Sequence, residues 1–141
     1  MQKMPNRDRY HDTVRRALEK DRWLITDDPL RLRWGKKDMY VDLAAEKLLL
    51  AVKDRQKIAV EIKTFGGPSS IADAQQSLGQ YFIYLSVIKR LEPERKLYLA
   101  LHEEVYQDFF TEPLGEIILK DYQLPIIVFD RKREVIIRWI D

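Results

Sequence analysis

Apolar positions recur at helical spacing over residues 7–21, where Tyr10, Val14, Ala17 and Leu18 form a stripe and Arg15, Arg16, Glu19 and Lys20 fall outside it. This predicts an amphipathic first helix. Trp23, Leu24 and Ile25 follow, Asp27-Asp28-Pro29 reads as a turn, and Leu30, Leu32 and Trp34 alternate with Arg31 and Arg33 as in a strand. From Met39 to Val52 the chain reads as extended, with a bend near Ala44 and Ala45. A second extended run, Lys57 to Phe65, returns after Lys53-Asp54-Arg55-Gln56 as its antiparallel partner. Gly66-Gly67-Pro68 stops that strand, and Ser69 or Ser70 then caps a long helix with Asp73 in its first turn. Ala74, Leu78, Tyr81, Leu85 and Ile88 keep a three-four spacing as far as Pro93, with Ile71 and Phe82 widening the face.

Leu97, Leu99 and Leu101 alternate in a further strand, Glu103 to Phe110 and Pro113 to Tyr122 read as helices, and Ile126 to Phe129 pairs with Glu134 to Trp139 in a closing hairpin. The class is mixed α/β. Because the long helix lies between two strands, those strands should share one sheet with the helix packed across its face. A chain of 141 residues that is 45% hydrophobic fills one core, so a single domain is expected.

Composition narrows the chemistry. Basic and acidic residues nearly cancel, 25 against 23, so overall charge makes no case for a polyanionic partner. The distribution is uneven: residues 1–37 hold 11 Lys/Arg and 6 Asp/Glu, either a phosphate-facing front or a solvated surface. Cysteine is absent, which excludes disulfides, thiolate metal sites and cysteine nucleophiles and suits a reducing compartment; a cytoplasmic location is the expectation. Met1 to Tyr10 lacks the apolar run of a signal peptide, and no stretch approaches the roughly 20 apolar residues of a membrane span. Two histidines without cysteine argue against structural zinc, and neither a Gly-rich phosphate loop nor a serine triad is present.

In Ile58-Ala59-Val60-Glu61-Ile62-Lys63 the side chains alternate, placing Glu61 and Lys63 together on one face. Asp42 interrupts the apolar run Tyr40-Val41-Asp42-Leu43 on the partner strand and reaches the Glu61 end if the strand bends. Asp42 and Glu61 offer the oxygen ligands that hard ions such as Mg2+ or Mn2+ take, leaving other positions to water and phosphate. Lys63 supplies a fixed positive charge, and the reaction implied is phosphodiester hydrolysis. Glu-x-Lys alone usually marks a solvated strand face. It gains weight from an acid on the first strand, Glu-x-Lys on the second and a helix directly after. Glu46 competes with Asp42, because a hairpin centred on Asp54 and Arg55 brings Glu46 nearer Lys63, as second acid or as cross-strand ion pair. On the long helix Asp73, Gln76, Gln80 and Tyr84 form a polar stripe, and Gln80 and Tyr84, one turn apart, are an ordinary exposed helix flank, support the site or contact a nucleic-acid backbone. His11, at the border of the first apolar stripe, is a further ligand, a proton carrier or a locally bonded histidine. His102, between a strand and a helix, reads as a cap.

With these residues in place, the sequence resembles the family of fdxN element excision controlling factors called XisH, over nearly its full length. The segments that carry the resemblance are Arg9-Tyr10-His11-Asp12, Trp34-Gly35-Lys36, Tyr40-Val41-Asp42-Leu43, Ala45-Glu46-Lys47, Ile58 to Phe65 and Leu78-Gly79-Gln80-Tyr81. The family looks like part of the PD-(D/E)xK nuclease-like superfamily, which implies a restriction-endonuclease-like αβββαβ core, here followed by a C-terminal β-hairpin. The catalytic pattern carries over to Asp42, Glu61 and Lys63, with Asp42 and Glu61 as metal ligands, and Gln80-x-x-x-Tyr84 is similar to the helix motif of the RecB-type branch. Val41 stands where the superfamily usually has proline. The resemblance implies a cyanobacterial-type accessory factor that binds DNA and acts with a site-specific recombinase and an XisI-type companion protein, either as a metal-dependent endonuclease or as a non-catalytic module on the same fold. Ile136, Ile137, Trp139 and Ile140 suit a core or the interface of a homo-oligomer equally.

Overall fold

A computed structural model describes residues 8–48, 55–65 and 69–141. The element order is α1 (His11–Lys20), β1 (Leu24–Asp27), β2 (Leu30–Trp34), β3 (Lys37–Val41), β4 (Leu43–Leu48), β5 (Arg55–Ile62), α2 (Ser70–Leu91), β6 (Arg95–His102), α3 (Glu103–Val105, running into a π-helical turn at Tyr106–Phe110), α4 (Pro113–Tyr122), β7 (Ile126–Asp130) and β8 (Val135–Ile140). The expected chain start through Arg7, the strand continuation over residues 49–54 and the Gly66-Gly67-Pro68 stop lie outside the described residues.

Six strands form one mixed sheet in the order β1-β4-β5-β6-β7-β8, while β2 and β3 pair separately as a two-stranded hairpin. The ladder β4/β5 is antiparallel, β5/β6 and β6/β7 are parallel, and β7/β8 is antiparallel. The sequence helix, three strands, helix, strand therefore runs through α1, β1, β4, β5, α2 and β6, with the β2-β3 hairpin inserted after the first strand.

Strand alternation divides the core in two. Ala44, Ala59, Leu97, Leu99, Leu101, Ile126 and Val128 face one side, where Ala74, Tyr81, Val87 and Ile88 of α2 cover them. Leu43, Ala45, Ile58, Val60, Ile62, Ala100, Ile127 and Phe129 face the other, under Val14 and Leu18 of α1. Ser69 caps α2, its hydroxyl accepting from the Ala72 amide at 3.2 Å, and Tyr81 donates its hydroxyl to the Leu97 carbonyl at 2.9 Å, fixing the helix to β6.

Three readings of the sequence are corrected. Ile71 does not widen the buried face of α2; it is 53% exposed, one turn short of the core residues Ala74 and Ser77. The stretch taken as one strand from Met39 is two, β3 and β4, and the break falls at Asp42 rather than near Ala44 and Ala45. Ala44 and Ala45 sit in unbroken register with Ala59 and Ile58, where small side chains on both faces let α1 and α2 approach the sheet. In the closing hairpin Ile136 and Trp139 join the α1-side core and Ile140 the α2 side, but Ile137, opposite the register shift at Val128/Phe129, is exposed.

Candidate functional site

The site forms where β4 and β5 stop pairing. Leu43 and Val60 are the last rung of that ladder. One residue on, two side chains take over the backbone's hydrogen bonds: the Asp42 amide donates to Glu61 Oε1 at 3.2 Å, and the Ile62 amide donates to Asp42 Oδ2 at 2.8 Å. Asp42 and Glu61 thus close the ladder with their own carboxylates, which satisfies amides that would otherwise be stranded at a strand end. Lys63, two residues after Glu61 and on the same face, holds its Nζ 3.4 Å from Glu61 Oε2 and donates to Gln80 Oε1 on α2. Tyr84, one turn further along α2, lies within the field of both acids.

Burial dominates the electrostatics, and the Asp42 charge adds to it at Glu61. Glu61 is 4% exposed, and desolvation, then the neighbouring Asp42 charge, push its carboxyl from 4.5 up to about 8, against the pull of Lys63. Asp42 is raised as well, chiefly by desolvation, although the Ile62 amide and its hydrogen bond to Glu61 hold it down. Both carboxyls thus hold protons to higher pH than free acids do. Burial also pushes the Tyr84 hydroxyl up to about 12, with the Glu61 and Asp42 charges adding to it, so Tyr84 is a donor and not a phenolate at neutral pH.

His11 joins the site through its position at the start of α1. Its ring is 3% exposed, with Nε2 at 2.6 Å from Asp28 Oδ1 and Nδ1 at 4.0 Å from Asp42 Oδ1. Nδ1 is buried without a hydrogen-bond partner. Asp28, read from the sequence as part of a turn, orients this imidazole and is itself held by Arg15 Nη1 at 2.6 Å. Nothing local signals that role, because the partners lie 17 and 13 residues away.

Glu46 is not the second acid. The register centres the hairpin three residues earlier than the alternative required, so Glu46 faces Lys57 and its carboxylate pairs with Arg55 Nη1 at 2.9 Å. Neither expected role holds, because its ion-pair partner is Arg55 and not Lys63. His102 precedes α3 without capping it; its buried ring packs edge-on to Tyr10 and Phe129.

Asp42 and Glu61 are the side chains that could hold a divalent cation here. Their donors are oxygens only, and a cation would offset the desolvation that raises both and the Asp42 charge that raises Glu61 further. Among the described residues no group of three or more His, Asp or Glu side chains is arranged as a metal cluster, so such an ion would complete its shell with water or substrate oxygens, as Mg2+ commonly does.

The family model of the XisH protein matches residues 4–137, which includes every residue of the site. The chain belongs to the XisH family. Two solved structures are similar to it. One is an XisH family protein from Nostoc punctiforme, with 36% identity and a TM-score of 0.86 over 95% of this chain and 100% of that one. The other is a fdxN element excision controlling factor protein from Anabaena variabilis, with 38% identity and a TM-score of 0.86 over 96% of this chain and 100% of that one. No curated protein matches the chain. Among the described residues of this XisH-family chain no helix is long and apolar enough to cross a membrane.

Proposed function

We propose that this XisH-family chain is an accessory factor for site-specific excision of a DNA element and carries a PD-(D/E)xK-type site for metal-dependent phosphodiester hydrolysis. The excision role rests on family membership and on the name of the Anabaena variabilis relative. The chemical reading rests on one observation: Asp42, half-buried, and Glu61, buried, close the end of the β4-β5 pair with their carboxylates, and the Lys63 ammonium stands 3.4 Å from Glu61. The αβββαβ order through β6 supports the superfamily reading.

Asp42 and Glu61 would hold Mg2+ or Mn2+, which when bound lowers the pKa of its water and neutralises charge on the phosphate. The chain's own residues do the rest. Lys63, anchored by Gln80, places a fixed positive charge where the phosphorane oxygens gain charge as water adds to phosphorus and the P–O ester bond breaks. Tyr84, kept protonated, donates a hydrogen bond into the same space. Asp28 fixes the His11 ring through Nε2, which leaves Nδ1 facing Asp42 at 4.0 Å.

Purified protein should cleave DNA with Mg2+ or Mn2+, and Lys63→Ala should lower the rate by about 100-fold to 1,000-fold. Activity that survives both Lys63→Ala and Glu61→Ala would refute the catalytic reading. The controlling-factor name of the relative favours a second reading, a non-catalytic module that binds an XisI-type companion and regulates a recombinase. On that reading Glu61→Ala leaves excision intact in a reconstituted assay.

A further inference from the structure

The β2-β3 hairpin stands outside the main sheet, and its composition differs from that of the rest of the chain. Residues 30–41 hold four basic side chains (Arg31, Arg33, Lys36 and Lys37) and one acid, Asp38. That is a net +3 in twelve residues, against +2 for the whole chain, so the remainder carries a slight negative excess. The near-neutral total therefore hides one concentrated positive element.

Its tip is built to present side chains. Residues 33–38 are all exposed. Trp34 pairs with Lys37 across a two-residue turn, Gly35-Lys36, in which Gly35 takes φ +62 and Lys36 does not, the pattern of a type II′ turn whose twist matches the flanking strands. Along the inner face Leu32 is 2% exposed and Trp34, the next residue in phase, 50%. The core ends between them, and an indole is left in water at the centre of a basic loop. Core packing does not account for Trp34, because it lies beyond what α2 covers. The outer face carries Arg31, paired with Asp38 at 3.0 Å, and Arg33, whose Nε donates at 3.4 Å to the Gly35 carbonyl. Lys36 and Lys37 are the most outlying charges.

The hairpin's second strand ends at Val41, immediately before Asp42. Lys37 to Val41 spans about 13 Å at strand rise, the length of about four phosphates of one DNA strand. A basic tip with an exposed tryptophan, on a hairpin whose second strand leads directly into a candidate phosphodiester site, has the chemistry of a nucleic-acid wing: cations for phosphates and a flat ring for sugars and bases.

We infer that the β2-β3 hairpin is the DNA-docking element of this chain, with Lys36, Lys37 and Arg33 on the phosphates and Trp34 against the sugars and bases beside them. This rests on the DNA-directed function proposed above and names the part of the chain that would hold the substrate.

The test is fluorescence anisotropy with a labelled duplex DNA in EDTA, so that neither metal nor cleavage contributes. Lys36→Glu/Lys37→Glu should weaken binding at least about tenfold and flatten the slope of log K against log salt by about 2. Trp34→Ala should weaken it about tenfold at every salt concentration. All three positions are exposed, and unchanged melting temperatures would show that the variants stay folded. Wild-type binding retained in both variants overturns this inference and leaves the excision reading standing, as does tighter binding to an RNA duplex of the same sequence. Failure of the wild-type chain to bind DNA overturns both. Magnesium-dependent cleavage, assayed in parallel, reports on the catalytic reading alone.

Discussion

Glu61→Gln isolates the cost of placing two acids in one buried site. In the folded chain Glu61 is pushed up to about 8, whereas in the unfolded chain it returns to 4.5. Between those values the native state binds a proton that the unfolded state has lost, so stability must fall as pH rises through this window. The displacement corresponds to on the order of 5 kcal/mol, and relaxation and water entry should reduce what denaturation measures to about 1–3 kcal/mol. Glutamine keeps the essential geometry: its oxygen can accept the Asp42 amide, and its NH2 can replace the carboxyl proton that bonds Asp42. Urea denaturation of the metal-free protein at pH 5, 6, 7 and 8 should show the wild type weakening progressively, while Glu61→Gln stays nearly flat and is the more stable of the two at pH 8. Added Mg2+ should restore the wild type at pH 8 and leave Glu61→Gln unmoved. A wild type whose stability does not change between pH 5 and 8, or a glutamine variant with the same slope, would refute the argument that Glu61 is desolvated beside a second acid.

Other outcomes follow from the same geometry. Gly115→Ala should destabilise by about 2–4 kcal/mol in urea melts, because a Cβ there would come within 2.6 Å of the Phe110 Cα and meet the Phe109 backbone, which cannot swing aside. Tyr81→Phe should cost about 1–2 kcal/mol by leaving the buried Leu97 carbonyl without its donor. Gln80→Leu should lower cleavage about tenfold by loosening Lys63 while leaving the melting temperature within a few degrees of wild type, as measured by single-turnover kinetics and scanning fluorimetry. Glu46→Ala, which removes an exposed ion pair with Arg55, should change stability by less than about 1 kcal/mol and leave cleavage unchanged.

Periodicity made most of the fold legible. Alternation in Ile58 to Lys63 fixed which residues share a face, and the spacing of Ala74, Tyr81 and Ile88 placed the long helix on the sheet. Glu61, Gln80 and Tyr84 were readable because each lies within one regular element whose geometry is known in advance, and Lys63 because it follows β5 directly and continues its alternation. Asp42 and Glu46 were not separable, since the choice depends on hairpin register, and the tertiary fit of two alanine-lined faces sets that register more than any local turn signal. The split at Asp42 was hidden for a related reason. Tyr40-Val41-Asp42-Leu43 alternates as one strand would, and only the separate pairing of β2 with β3, whose Leu32 and Val41 are buried, shows that the chain changes sheets there. Asp28 was beyond reach, its function arising from contact with a helix that precedes it by a full turn and strand.

The reciprocal bonds between Asp42, Glu61 and Ile62 bear on how the motif would be inherited. Each acid closes a backbone amide that the ladder leaves open, so each is held in place by folding as well as by chemistry. On the catalytic reading proposed above, a descendant that stopped cutting DNA would still lose a strand end by replacing either residue with an apolar one. In such a lineage the two acids would outlast turnover, and the first position released to drift would be Lys63, whose ammonium meets other side chains and closes no backbone amide.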